Sequence, residues 1–279
     1  MQGVSHISGR PLKTSPPHFP VFDLGLAPYL PVQALQARLR TAVADGRLPG
    51  VLLLLEHQPV ITMGSRAGLH DLRECAASEP SALPPAVRLA AAPAIQVVES
   101  ERGGQATLHA PGQLISYPVV PIPGRDLGEY VRGLEEANIL VLAEFGIQGD
   151  LRPGRPGVYV AGDKISSVGL RCQRWVSSHG TSLNVSLDLS LFQAIVSCGE
   201  PQLRQTSIEE ITGAASHMAE VKAAYIRAVT QVFGWRLEPL RPVQYDRVEA
   251  ELGLEGCPAM PTAGFEPATP GSGGQCSIP

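Results

Sequence analysis

Charge is scarce in this chain. Only 17% of its 279 residues are Asp, Glu, Lys or Arg, and 22 basic against 26 acidic residues leave a formal net charge of −4. No Lys/Arg-rich run occurs, so nucleic acid is not an expected partner. Long apolar runs are also missing. The longest compact one, Val51 to Leu55, has the length of a strand and falls far short of the roughly 18 residues of a membrane span. The opening MQGVSHISGRPLKTSPPHFP has no apolar h-region, which excludes a secretory signal. The five cysteines have no regular spacing, so a disulfide scaffold is not expected and a reducing cytoplasm is the default compartment. Cys172, His179 and Cys198 lack metal-ligand spacing, so no metal is expected. There is no G-x-S-x-G elbow, no Walker loop and no G-x-G-x-x-G after a strand, so serine-triad and nucleotide-loop chemistry have no support.

What is present is an ordinary globular composition, 44% hydrophobic, with enough length for one sizeable domain. Residues 1–18 are polar and Pro-rich, and residues 256–279 are Pro/Gly/Ser/Thr-rich. Both are expected to be disordered tails, which sets Cys257 and Cys276 aside. Between them, Val21 to Leu24 reads as a first strand and Val32 to Ala44 as an amphipathic helix. VLLLLE reads as a strand buried on both faces. Residues 76–94, rich in Ala and Pro, read as a surface excursion. Ile95 to Val98, the stretch ending at HAPGQ, and Leu114 to Val119 read as strands. Asp126 to Phe145 is the strongest helix, with Gly146 to close it. Gly157 to Val160 and Lys164 to Leu170 read as a hairpin across AGD, with glycine and aspartate at positive φ. Ser207 to Ile211 and Val221 to Phe233 read as helices, and Trp235 to Leu237 as a last strand. Hairpins mixed with helices favour a mixed α/β fold over a regular βαβ repeat.

Two residues carry the chemistry. Lys164 sits in GVYVAGDKISSVGLR and Cys198 in FQAIVSCGE. A lysine ammonium beside a cysteine favours the thiolate, the form that attacks acyl groups. Cys198 alone reads equally as a structural thiol, although Gly199 leaves the next amide free for an oxyanion. Cys172 reads as a neutral core or edge thiol, and Cys75 as structural or exposed. In RGGQATLHAPGQL, the glycines permit close backbone approach to a ligand, and free amides of the Gly103–Gly104 loop offer a second place for an oxyanion. The same string also fits a hairpin with a glycine bulge. His109 serves there as a hydrogen-bonding group, with proton transfer as the alternative. His179 begins a His-Gly turn that, with Ser182 and Asn184, can line a polar pocket.

The four blocks EHQPVITMG, RGGQATLHAPGQLISYP, GVYVAGDKISSVGLRCQRWVSSHGTSLNVSLDL and SLFQAIVSCGE agree in order and spacing with a known family. Across roughly residues 21–240 the chain resembles the lipoate-biosynthesis octanoyltransferases. The resemblance implies one catalytic domain over residues 19–255. Its fold would be the mixed α/β fold of lipoate ligases and biotin protein ligases. It implies an acyl-thioester on Cys198, tuned by Lys164. It also implies an acyl-binding wall made of Arg102, Gly103, Gly104, Gln105, Ala106, Thr107, Leu108 and His109, of Ser167, Val168 and Gly169, and of Gly180, Thr181 and Ser182. The implied partners are octanoyl-acyl carrier protein as donor, and as acceptors the lipoyl domains of 2-oxoacid dehydrogenase complexes and glycine cleavage H protein. No cofactor is implied.

The chain departs from the family pattern in five places, one of them QTSIEE after the cysteine, which retains only a trace of the family's TSL segment. Ala110 replaces a glycine, and would cost about 1 kcal/mol if that position required positive φ. Thr181 and Ser182 replace an apolar pair. Ser197 replaces a proline. Glu200 sets a carboxylate two residues past Cys198, where it would oppose Lys164. Two other readings follow from these facts: an ATP-dependent lipoate or biotin ligase on the same fold, and an inactive homologue that binds acyl groups or lipoyl domains.

Overall fold

The computed structural model describes residues 18–73, 86–87 and 95–254. The expected tails at 1–17 and 256–279, most of the excursion at 76–94, and Cys75, Cys257 and Cys276 lie outside the described residues. His18, assigned to the N-terminal tail from sequence, instead opens the first strand.

The chain begins with β1 (His18–Phe19) and β2 (Val21–Ala27), then α1 (Tyr29–Ala44), β3 (Val51–His57) and β4 (Val60–Met63). Next come β5 (Ala86–Val87), β6 (Ile95–Glu99), β7 (Ala106–His109) and β8 (Gln113–Val119). α2 (Leu127–Glu144) leads into β9 (Asp150–Arg152), β10 (Arg155–Val160), β11 (Asp163–Gln173) and β12 (Val176–Asn184). Short 3₁₀ turns at Leu189–Ala194 and Ser197–Gly199 precede α3 (Ile208–Thr212) and α4 (Met218–Phe233). β13 (Arg236–Leu237), β14 (Arg241–Pro242) and α5 (Val248–Glu251) complete the order.

A mixed sheet of eight strands, ordered β14-β2-β3-β8-β12-β11-β10-β9, forms the body, and a smaller sheet, β5-β6-β4-β7, stands beside it. β3 explains why the large sheet is central. Leu52 and Leu54 pack on one face with α2 and α4, while Val51, Leu53 and Leu55 pack on the other with α1. A strand covered on both faces gains from an unbroken apolar run, and VLLLL supplies one. α2 is fixed at both ends. The Asp126 carboxylate accepts the Glu129 N–H at 2.8 Å, and Gly146 follows the helix at φ 72°.

Two local expectations are corrected. In the β10–β11 turn, positive φ falls on Ala161 and Gly162, and Asp163 already belongs to β11. His179 does not begin a turn. It lies within β12, opposite Leu170, and absorbs a positive φ of 57° inside the strand. No described helix is long and apolar enough to cross a membrane.

Candidate active site

The two sheets meet where the loop between β6 and β7 docks on β11. The Gly103 N–H donates to the Leu170 carbonyl at 2.8 Å. The Arg102 side chain folds back into the small sheet. It donates to Thr62 Oγ1 at 2.9 Å, to the Thr62 carbonyl at 2.6 Å and to the Gly103 carbonyl at 3.0 Å. Between the sheets lies a cavity of about 710 Å³. Of the sequence-expected wall, Arg102 to Thr107, His109, Ser167 to Gly169 and Gly180 to Ser182 all line it, together with Lys164 and Cys198. Leu108 does not. It is fully buried in the core of the small sheet with Ile61 and Ile95, because alternate residues of a strand face opposite ways.

Cys198 and Lys164 are brought into contact. Lys164 Nζ donates to Cys198 Sγ at 3.1 Å and to the Pro156 carbonyl at 3.0 Å, and lies 5.5 Å from the centre of the Tyr159 ring. The lysine is only 2% exposed, and among the described residues no carboxylate lies within ion-pair distance of it. The buried ammonium is thus shared between the Cys198 sulfur and the Pro156 carbonyl. Cys198 itself is partly buried, at φ 56° and ψ 23°. A left-handed backbone is rare for a residue with a side chain, and such strain gathers at functional sites.

Neighbours fix the lysine. Gly157 has φ +127°, and a Cβ built there would come within 2.7 Å of Lys164 Cε and nearer still to the Ser166 carbonyl oxygen. The Lys164 main chain is held on both sides. Its N–H donates to the Arg204 carbonyl, and its carbonyl accepts the Thr206 N–H, both at 2.9 Å.

Burial disfavours the charged form of the imidazoles near the cavity. Burial first, then the neighbouring His57, holds His109 well below the ordinary histidine range. His57 is pushed down to about 4 by burial, and His179 to about 3 by burial and then by Arg102. His109 Nδ1 meets Gln113 Oε1 at 2.7 Å, Gln113 donates to Asn184 Oδ1 at 2.9 Å, and Asn184 donates to the Thr206 carbonyl at 2.9 Å. His109 is thus a structural hydrogen-bonding group. Among the described residues, no three His, Cys, Asp or Glu side chains are grouped to hold a metal.

Three of the departures, Ala110, Thr181 and Glu200, have a local structural account, and nothing in the structure explains Ser182 and Ser197. Ala110 is not at positive φ and is buried in the small-sheet core, so its methyl group packs without strain. The Thr181 hydroxyl lies 3.4 Å from the Tyr225 hydroxyl. Glu200 forms an ion pair with Arg155. Cys172 lies on the cavity wall opposite Ser177.

The expected oxyanion amide after Cys198 is not free. Gly199 N–H donates to the Val196 carbonyl and Glu200 N–H to the Ser197 carbonyl, at 3.3 and 3.0 Å, because the chain closes a tight turn there. The N–H groups of Gly104 and Gln105, on the cavity wall, have no such acceptor among the described residues. Arg155, Pro156, Tyr159 and Tyr117 also line the cavity, and sequence reasoning did not single them out. Only GRPGVYV, with its Pro-Gly step just before the hairpin, carried a signal for the first three.

The family model described as "Lipoyl protein ligase A/B catalytic domain" matches residues 28–230. An "Octanoyltransferase" of Syntrophotalea carbinolica is 40% identical over 206 residues, spanning 73% of this chain and 89% of that one. One of Nitratidesulfovibrio vulgaris is 41% identical over 220 residues, spanning 76% and 94%. A crystal structure of lipoate-protein ligase A bound with ATP matches with a TM-score of 0.61 at 14% identity, covering 84% of this chain and 98% of that one. A putative lipoate protein ligase from T. acidophilum with bound lipoic acid matches at 0.58 and 14% identity, covering 81% and 91%. At such low identity the two structures speak for a common fold.

Proposed function

We propose that this chain, which belongs to the octanoyltransferases of the lipoyl protein ligase A/B catalytic family, carries the octanoyl group on a Cys198 thioester. It is an acyltransferase of protein lipoylation. The donor in this reading is octanoyl-acyl carrier protein. The acceptor is a lysine of lipoyl domains, such as those of 2-oxoacid dehydrogenase complexes and glycine cleavage H protein. A thiol nucleophile of this kind suits a reducing cytoplasm.

The observation that supports it is the 3.1 Å contact between Lys164 Nζ and Cys198 Sγ on the wall of a 710 Å³ cavity. The Cys198 thiolate attacks the donor's thioester carbonyl. The C–S bond to the carrier breaks, and its thiolate takes a proton from Lys164. Lys164, now neutral, accepts a proton from the acceptor's ε-amine as that nitrogen attacks the acyl-cysteine. Cys198 then leaves as a thiolate beside a restored ammonium. The N–H groups of Gly104 and Gln105, which line the cavity with no acceptor among the described residues, serve as donors to the oxyanion of both steps.

The test uses octanoyl-acyl carrier protein and no ATP. The full chain should gain one octanoyl group that hydroxylamine releases. Cys198→Ala should lose it and Cys172→Ala should keep it. A requirement for ATP would indicate the ligase reading, and no label at all the inactive homologue. Label surviving in Cys198→Ala would overturn the assignment.

A further inference from the structure

We infer that Arg155 is a positioning residue that reserves the Lys164 ammonium for Cys198 by neutralising Glu200. This rests on the reading of Cys198 as the nucleophile. Glu200 stands at the end of the Cys198 turn, held there by its N–H to the Ser197 carbonyl at 3.0 Å. A carboxylate so near would attract the ammonium away from the sulfur. Arg155 engages that carboxylate directly. It also precedes Pro156, whose carbonyl accepts Lys164 Nζ at 3.0 Å. Three contacts, Lys164 with Pro156, Lys164 with Cys198 and Arg155 with Glu200, thus tie the start of β10 to the cysteine turn.

Two further carboxylates near the dyad are paired with arginine in the same way. Glu101, on the cavity wall, pairs with Arg171 at 3.3 Å and Arg40 at 3.8 Å, and Asp163 pairs with Arg204 at 3.7 Å. Glu135 accepts the Gly157 N–H at 2.7 Å. Glu101, Asp163 and Glu200 are thus each paired with an arginine, while Glu135 is held by a backbone N–H and has Lys164 among its neighbouring charges. The Arg155–Glu200 pair is substantially exposed, with Arg155 50% and Glu200 27% open to solvent. Pairs of that kind add little to stability, so the effect of Arg155 should appear in reactivity and not in melting.

The experiment follows alkylation of Cys198 by iodoacetamide, resolved by peptide mass spectrometry, in the full chain at neutral pH. Arg155→Ala should slow it about five- to tenfold, because it leaves Glu200 uncompensated. Arg155→Lys should stay within about twofold of wild type, since any cation suffices. Glu200→Gln should react at or above the wild-type rate. The double variant Arg155→Ala/Glu200→Gln should return to within about twofold of wild type, which a purely structural role for Arg155 would not allow. Wild-type speed in Arg155→Ala, or a double variant as slow as Arg155→Ala, would overturn the inference. Single-turnover octanoylation of the same proteins keeps the two readings apart. Absent octanoyl-Cys198 in the wild type would defeat the proposed function, while the alkylation series would still decide the charge role of Arg155.

Discussion

Replacing Gly157 by alanine should damage the dyad without touching either of its members. The new Cβ would sit 2.7 Å from Lys164 Cε and 3.1 Å from Nζ, closer than real methyl groups approach, and closer still to the Ser166 carbonyl oxygen. The carbonyl belongs to the β10–β11 ladder and cannot yield cheaply, so the lysine stem must swing. Two costs follow. Holding a non-glycine residue at φ +127° costs about 1–3 kcal/mol, which lowers Tm by roughly 3–10 °C in a domain of this size. Losing the hydrogen bond from Nζ to sulfur removes a charge-assisted contact worth about 1.5–3 kcal/mol, hence about tenfold to a hundredfold in the rate of acylation. Single-turnover octanoylation, read by mass spectrometry, measures the second cost and thermal melting the first. Gly146→Ala is the control. Its φ is +72° with nothing within 4 Å of the added carbon, so it should lower Tm by about 2–4 °C and leave acylation alone. A Gly157→Ala protein that acylates at the wild-type rate would refute the claim that this glycine seats the lysine.

Lys164→Ala should slow both acylation of Cys198 and transfer from a preformed acyl-enzyme, the latter by about 10²-fold or more. Lys164→Arg should recover part of the first step and little of the second, because arginine keeps its proton; equal recovery of both would argue against the base role. His57 titrates at about 4 in the folded chain against about 6.5 unfolded, so the unfolded state binds the extra proton first as pH falls. Stability should therefore decline from pH 6.5 downward, by about 3 kcal/mol from His57 alone at pH 4. His57→Gln should flatten the fall of Tm between pH 6.5 and 4, and an identical slope would show the imidazole is not held neutral. Ala110→Gly should lower Tm by roughly 3–6 °C, as it deletes a buried methyl group and loosens the backbone; a rise would mean the position is strained after all.

Much of the fold could be read from local patterns. VLLLL announced a strand covered on both faces, and the period of Leu134, Asn138, Val141 and Leu142 placed α2 to within a residue of its ends. Turns without glycine could not be read. Arg174 and Trp175 make the β11–β12 turn at φ 53° and 60°, and nothing in their chemistry advertises it. His179 was mistaken for a turn because positive φ inside a strand is rare, and the His-Gly pair suggested the commoner cause. The Lys164–Cys198 pairing was legible through its neighbouring blocks. Of the two places the sequence suggested for an oxyanion, the turn after Cys198 and the Gly103–Gly104 loop, which one keeps a free amide was hidden, because that depends on the fold, and the Val196 and Ser197 carbonyls claim the two amides beyond Cys198. The Arg155 partnership was equally hidden, since its two ends are joined only by the folding of β10 against the cysteine turn.

Lys164 contributes to the site twice. Its side chain meets the sulfur, and its own peptide groups grip Arg204 and Thr206, the chain returning from that sulfur. The separation of amine and thiol is therefore gauged within one short stretch of chain, residues 198–206, as well as by the placement of sheets and helices. A gauge built that way tolerates drift elsewhere. The outer helices can repack, while the two reactive atoms keep their spacing. Sequence change across most of the scaffold can then accumulate without detuning the chemistry, and the stretches that cannot drift are Arg155 to Lys164 and Cys198 to Thr206.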